Sequence, residues 1–314
     1  MENKPLVSIV CLVYNHEPYL RQCLDGFVMQ QTSFPIEVVI HDDASTDRSK
    51  EIIQEYVNKY PHIFNPIFES KNQWSIDSSI ILKRILSKIK DVKYVATCEG
   101  DDYWTDPLKL QKQVDFMESH PDYAICYHHV RILKSATNEL KDDSELYSGF
   151  PEDFSINELA IRNCINTNSV LYRNNIKAWG KVIELGPTII KDYASHLFFA
   201  ENGLIKRLPD YMGVYREGVG VWSGSTSFLK TDIELLECLC KIHVLLDNQD
   251  TKLLVQQQID NREANILHWT DSTLDQVHAL MSSNEHRIGM MITKRFPQIA
   301  KTIIKIGNRH IKDN

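Results

Sequence analysis

Residues Tyr94 to Trp104, reading Tyr-Val-Ala-Thr-Cys-Glu-Gly-Asp-Asp-Tyr-Trp, constrain this chain more than any other stretch. The apolar run Tyr94 to Ala96 reads as a buried strand. It ends in three carboxylates within four positions (Glu99, Asp101 and Asp102), and two aromatics and Pro107 follow. Carboxylates this close repel one another, and burying them unpaired costs on the order of several kcal/mol each. A hard divalent cation with oxygen ligands, Mg²⁺ or Mn²⁺, offsets that cost. A solvated acidic turn is the other reading, and this stretch alone leaves both open. In an α/β sheet, ligands bind outside the carboxyl ends of strands. The first reading therefore puts a metal-dependent pocket at this turn, with Trp104 as one wall.

The preceding residues set the strand in a layered fold. Leu6 to Tyr14 is nearly continuous in apolar and β-branched residues, the pattern of a strand buried on both faces. Leu20, Cys23, Leu24, Phe27 and Val28 then recur at helical spacing. A second strand, Ile36 to Ile40, runs into His41-Asp42-Asp43, and a second helix carries Ile53, Tyr56 and Val57. Strand and helix alternating with short breaks predict βαβ units around a parallel sheet. Further along, the pattern predicts a strand over 63–69, a helix over 79–90, a helix over 109–120, a strand over 123–133, a short helix from 155 and a strand around Ser169 to Tyr172. An exposed loop is expected over 134–154, and short separate strands over 205–208 and 211–216. Asp192 opens a largely buried helix, and Gly218, Gly220 and Gly224 surround Trp222 in an open loop. From about residue 225 only helices are expected.

Two strands thus end in paired aspartates, 42–43 and 101–102, and parallel strands bring their carboxyl ends to one rim. Asn15 follows the first strand on the same edge. Such a rim suits a nucleotide diphosphate held through metal, with carboxylates taking hydrogen bonds from base and ribose. No glycine-rich dinucleotide fingerprint follows the first strand and no Walker loop is present, so phosphate charge falls to a cation rather than a glycine nest.

The order Val7 to Asn15, then Glu37 to Asp47, then Lys93 to Gln113 resembles the family 2 glycosyltransferases. Val214-Tyr215-Arg216 and Gly220-Val221-Trp222-Ser223 are similar to the close of that domain. The resemblance covers roughly 5–224. It implies a GT-A fold (Rossmann-like, a mostly parallel central sheet flanked by helices), here with a C-terminal helical extension. The division is then a transferase domain over 1–224, nucleotide-binding to 107 and acceptor-side beyond, and a helical region over 225–314. The implied activity is metal-dependent, inverting transfer of one sugar from a nucleotide sugar, UDP-linked in the first instance. The acceptor is a saccharide or lipid-linked glycan in surface polysaccharide synthesis. Asp43 would bind the nucleobase, with Val13, Asn15 and Asp42 shaping its pocket. Asp102 would be the direct ligand of Mn²⁺ or Mg²⁺, with Asp101 near metal or ribose and Glu99 beside them. Asp192 would be the catalytic base, with Glu184 and Glu201 as rivals. Trp104, Arg216 and Trp222 would meet sugar or acceptor. The family's histidine after Tyr-Arg is missing, since Glu217 and Gly218 follow Arg216. A non-catalytic nucleotide-sugar or glycan-binding protein on the same fold is the competing reading.

Composition narrows the partners. A net charge of -7 gives no reason to expect nucleic acid. Seven cysteines, an odd number scattered through apolar segments, fit reduced thiols in the cytoplasm rather than a disulfide framework. The first residues lack a signal-peptide pattern, and no run approaches the ~20 apolar residues of a membrane span. Met290 to Ile311 mixes isoleucines with lysines and arginines. That segment is read either as peripheral at the inner face of the membrane or as packed with its basic face in water. Assembly as a homo-oligomer stays open.

Overall fold

The structure is a computed structural model that describes residues 4–89, 91–144, 149–186, 188, 190–219 and 228–282, with side chains at all of these but 228–230 and 269–282. Trp222 with its glycine loop, and the basic segment 290–311, lie outside the described residues.

The chain begins with β1 (Val7–Val13), α1 (Glu17–Val28), β2 (Ile36–Asp42), α2 (Ser49–Lys59), β3 (Phe64–Phe68), α3 (Trp74–Ile89) and β4 (Tyr94–Thr97). Next come β5 (Tyr103–Trp104), α4 (Lys109–Ser119) and β6 (Tyr123–Lys134). The expected loop over 134–154 instead holds two short strands, β7 (Glu139–Asp142), which pairs with β6, and β8 (Asp153–Phe154), which pairs with the last long strand of the sheet. Four exposed residues make up β7, so no hydrophobic alternation betrays it. Then follow α5 (Ile156–Ile161), a 3-10 turn (Thr167–Ser169), β9 (Leu171–Arg173), α6 (Ile176–Leu185) and α7 (Lys191–Ala200). Helix α6 was not anticipated, although Ala178, Trp179, Val182 and Leu185 form its buried stripe and Asn175 caps its start.

The two short strands expected near the end are one strand, β10 (Leu204–Glu217). It stays paired with β6 through register shifts between Leu208 and Gly213. Pro209 sits in that interval, where a residue without an N–H is tolerated.

Strand order is β3-β2-β1-β4-β9-β6-β10-β5. The sheet is less uniformly parallel than expected. β3, β2, β1 and β4 are mutually parallel, but β9 runs against both β4 and β6, and β5 runs against β10. Side-chain alternation explains how one sheet serves two cores. Ile9, Cys11 and Val13 of β1, with Val38 and Ile40 of β2, face one apolar cluster with α1, α2 and α4. Val10, Val39 and Val95 face the other, with α3, α5, α6 and α7. The helices α8 (Phe228–Leu245) and α9 (Gln249–Ser282) join this second core through Cys238, Leu239, Ile242, Val255 and Ile259. Among the described residues, no helix is long and apolar enough to cross a membrane. All seven cysteines are unpaired and six are buried.

Candidate active site

Register brings the acidic groups together. In the parallel pairings, Val13 lies opposite Asp42 and Val10 opposite Thr97. The carboxyl ends of β2, β1 and β4 therefore open on one edge. The amide of Asp43 donates to the carbonyl of Val13, and that of Gly100 to the carbonyl of Leu12, so both acidic turns are laid along β1. Gly100 is required by close approach. A Cβ there would lie 2.7 Å from His16 Nδ1 and 3.0 Å from Val13 Cγ2.

On the β2 side, the Asp43 carboxylate accepts from the backbone amides of Gln73 (2.7 Å) and Trp74 (3.0 Å) at the start of α3. Two oxygens held this way still have lone pairs free, so the group is oriented without being used up. Asn15 adopts a left-handed φ of 56°, which asparagine tolerates well, and its side-chain oxygen accepts from the Thr46 amide at 2.7 Å. It thereby clamps the turn after β2 beside β1. Asp42 is buried, with one oxygen unpaired and its pKa raised by burial. Val13 is core and meets this site through its carbonyl, not its side chain. Tyr14, absent from the expected set, is 45% exposed on the same edge. The signal was there: a large ring at the point where a buried strand ends beside an asparagine.

On the β4 side, Asp102 Oδ1 accepts from the Arg216 amide at 2.8 Å. Asp101 Oδ1 is buried with no hydrogen-bond partner. Burial, then the charges of Asp101 and Glu99, hold the Asp102 carboxyl well above the ordinary range. Glu99 is exposed at this turn. Desolvation by the surrounding chain, then the charges of Asp101 and Asp192, push its carboxyl up to about 8. His16 Nε2 stands 3.9 Å from Asp101, but burial lowers its pKa, so it neutralises the acid poorly near pH 7. Tyr215 belongs here too: burial, then the charges of Asp102, Glu99 and Asp101, push its phenol up to about 12.

This donor set fits a hard dication. It offers an orphaned carboxylate oxygen, a second aspartate with one oxygen free of the Arg216 bond, and a neighbouring glutamate. Among the described residues, no three His, Cys, Asp or Glu converge closely enough to hold a cation alone. A metal here needs further oxygens from phosphate or water.

Asp192 is the second residue of α7. Burial raises its carboxyl, while the first amides of the helix and the Thr167 hydroxyl stabilise its anion. The carbonyl of Thr167 in turn accepts from the Thr97 hydroxyl at 2.7 Å, which ties the 3-10 turn to the end of β4. The charge of Asp192 acts on Glu99, so α7 delivers it to the acidic edge. Its rivals do not share that place. Glu184 is exposed on α6, and Glu201 pairs with Lys181 and accepts from the amide of Asp247.

Two expected sugar contacts are corrected. Trp104 is 2% exposed and its indole N–H donates to the Asn168 carbonyl at 2.7 Å. Phe27 meets its ring edge-on at 4.9 Å, and Lys109 Nζ lies 4.0 Å from its centre. It is a core residue that anchors the acidic turn. Arg216 is buried between the rings of Tyr19 and Tyr103, and its guanidinium donates to the Asp101 carbonyl and to Gln22. It pins β10 to the turn instead of reaching an acceptor.

Comparison with known proteins gives the family and the fold. The family description "Glycosyl transferase family 2" matches residues 8–180. An uncharacterised protein of Mycobacterium tuberculosis is 42% identical over 217 residues, which is 69% of this chain and 60% of that one. The chain thus matches less than two thirds of that relative's length. Among solved structures, Staphylococcus aureus TarS 1–349 in complex with UDP-GlcNAc superposes with a TM-score of 0.58 at 17% identity, covering 82% of this chain and 72% of that one. The mannosyltransferase PcManGT of Pyrobaculum calidifontis, in complex with GDP-Man and Mn²⁺, gives 0.54 at 15% identity, over 96% and 87%. These likenesses show the GT-A fold, and the sequence match shows the family. The chain belongs to glycosyltransferase family 2.

Proposed function

We propose that this chain transfers a single sugar from a nucleoside-diphosphate sugar, UDP-linked in the first instance, to a hydroxyl of a saccharide or lipid-linked glycan, with inversion. The observation that carries the reading is the arrival of Asp43, the Asp101–Asp102 turn and Asp192 from separate elements at one sheet edge. Sugar nucleotides bound to TarS and to the Pyrobaculum mannosyltransferase support the donor class.

In this reading Asp43 and Asn15 receive the nucleobase, with Tyr14 stacking on it. Asp101 lies toward the ribose. Asp102 and Asp101 would hold Mn²⁺ or Mg²⁺, which when bound supplies positive charge at the leaving diphosphate. Asp192 takes the proton of the acceptor hydroxyl. The freed oxygen bonds to the anomeric carbon as the bond to the diphosphate oxygen breaks, and the diphosphate leaves with the electron pair. Attack opposite the leaving group inverts the centre. Surface polysaccharide synthesis at the inner face of a membrane is the setting we assign to it, with the basic stretch 290–311 as the contact.

A thermal-shift screen of UDP- and GDP-sugars with and without Mn²⁺ tests the reading. A ligand that binds only the folded chain raises the melting temperature, by about 2.7 kcal/mol of stability at a hundredfold excess over Kd. The expected result is a shift for a sugar nucleotide that grows with Mn²⁺, followed by sugar transfer. Shifts without transfer to any hydroxyl acceptor favour the reading as a nucleotide-sugar-binding protein, and no shift with any nucleotide sinks the transferase reading and leaves glycan binding.

A further inference from the structure

Lys191 stands directly before Asp192 at the start of α7, and the reaction described above makes no use of it. Its Nζ donates to the Ser78 hydroxyl at 2.8 Å and lies 5.4 Å from the centre of the Trp74 ring. Several other lysines find carboxylates: Lys93 takes Glu118, Lys112 takes Asp106 and Asp210, Lys181 takes Glu201, and Lys206 takes Asp153. Lys191 is different. Among the described residues its hydrogen-bond partner is a neutral hydroxyl, and the one acid whose charge reaches it, Asp77, acts at longer range. Its surroundings remove water from the ammonium and push its pKa down to about 8. A cation partly stripped of water with no counter-ion is costly unless an anion arrives.

Its position says which anion. The Trp74 amide donates to Asp43, so the ring beneath Lys191 belongs to the same helix start that orients the nucleobase carboxylate. The next residue along α7, Asp192, is the one whose charge acts on Glu99. Lys191 therefore lies between the base-recognition end of the edge and its acidic end. A nucleotide bound with its base at Asp43 and its sugar toward Asp192 passes its phosphates across this span. Trp74 is 43% exposed, which leaves an apolar wall open to that ligand.

We propose that Lys191 forms an ion pair with the diphosphate of the bound nucleotide, Trp74 forming the adjoining wall. The proposal rests on the donor reading given above and adds the residue that contacts the leaving group. Asp101 and Asp102 would hold the cation, and Lys191 meets the phosphate oxygens. The competing role is a structural tether, in which Lys191 only ties α7 to α3 through Ser78.

Calorimetric titration of the metal-free full chain separates the two. The probes are UDP against uridine and GDP against guanosine, with wild type, Lys191→Met, Lys191→Arg and Ser78→Ala. Lys191→Met is expected to lose about tenfold or more in affinity for the diphosphate and little for the nucleoside, since about 1.4 kcal/mol is tenfold. Lys191→Arg keeps most of the diphosphate affinity, and Ser78→Ala stays near wild type for both. Nucleoside binding also reports that Lys191→Met is folded. Equal losses for nucleoside and diphosphate, or loss in Ser78→Ala matching that in Lys191→Met, overturn the proposal in favour of a tether. Undiminished diphosphate affinity in Lys191→Met overturns it as well. Failure of the wild type to bind any of the four probes, with or without Mn²⁺, is distinguishable from these: it removes the donor reading, and the proposal with it.

Discussion

Lys109 offers a quantitative test of how the acidic turn is supported. The side chain is fully buried, and its Nζ donates to Gln113 Oε1 at 2.7 Å over the face of Trp104. Burial pulls its pKa from 10.5 down to about 7. The sign follows from linkage: the folded chain gives up this proton near 7, while the unfolded chain holds it to about 10.5. Between those values the unfolded state binds more protons, so this group makes the fold more stable as pH rises. Below that window the folded state bears the whole penalty of a buried ammonium. One proton is worth about 1.4 kcal/mol per pH unit, and Lys109 is about half-charged near neutral pH. Its contribution therefore improves by roughly 2 kcal/mol between about pH 7 and about pH 9.

Lys109→Met removes that dependence. Urea unfolding of both proteins across the range isolates it, because other groups titrate alike in the two and cancel. His128, driven well below its usual value by burial, is neutral throughout. Losing the bond to Gln113 costs about 1 kcal/mol at every pH and shifts the difference without tilting it. The stability of the variant relative to wild type should fall by roughly 2 kcal/mol on going from the lower to the higher pH. A difference constant to within about 0.5 kcal/mol would refute the depressed lysine.

Asp192→Asn should keep nucleotide binding and lose transfer by about 10²-fold or more, measured by product formation and calorimetry together. Because burial raises the Asp192 carboxyl above 3.8, its basic form is lost as pH falls through that raised value, so the acid limb of kcat/KM lies above that of a free aspartate. Trp104→Phe strands the buried Asn168 carbonyl and should cost about 1–3 kcal/mol in urea unfolding, with nucleotide-sugar affinity kept. Lost affinity at unchanged stability would return Trp104 to the pocket wall. Gln258 of α9 donates to the Tyr193 hydroxyl and to the Ala160 carbonyl beside it. Gln258→Ala should cost about 1 kcal/mol and lower transfer more than UDP binding, since α9 supports the helix that carries Asp192. Equal effects on both would separate α9 from that task.

Much of the N-terminal part was readable because its signals are local. β1, β2 and β4 are apolar runs closed by Asn15, Asp42–Asp43 and Glu99–Asp102, and period-two patterning sends their side chains to two cores. The part after β4 was less legible. There β7 has no apolar face and β10 carries a proline within a fourteen-residue strand. Those two strands exist by pairing with β6, which no local pattern announces. The short strand expected around Ser169 to Tyr172 is β9, and only its antiparallel direction was hidden. The same limit explains Trp104 and Arg216. Residue type suggested sugar contact, but Asn168, Tyr19 and Gln22, which claim these two side chains, are distant in sequence. Lys191 escaped notice because a lysine beside an aspartate reads as an ordinary solvated pair until its neighbours across the cleft are known.

Diffraction from a crystal grown with UDP and Mn²⁺, with manganese located by its anomalous signal, tests the central claim most directly. The account predicts one manganese peak bridging the diphosphate and the Asp101–Asp102 carboxylates, with uracil against Asp43. Nucleotide bound elsewhere, such as the recess between α6 and the α8–α9 connection lined by Lys177 and Asn248, would contradict it.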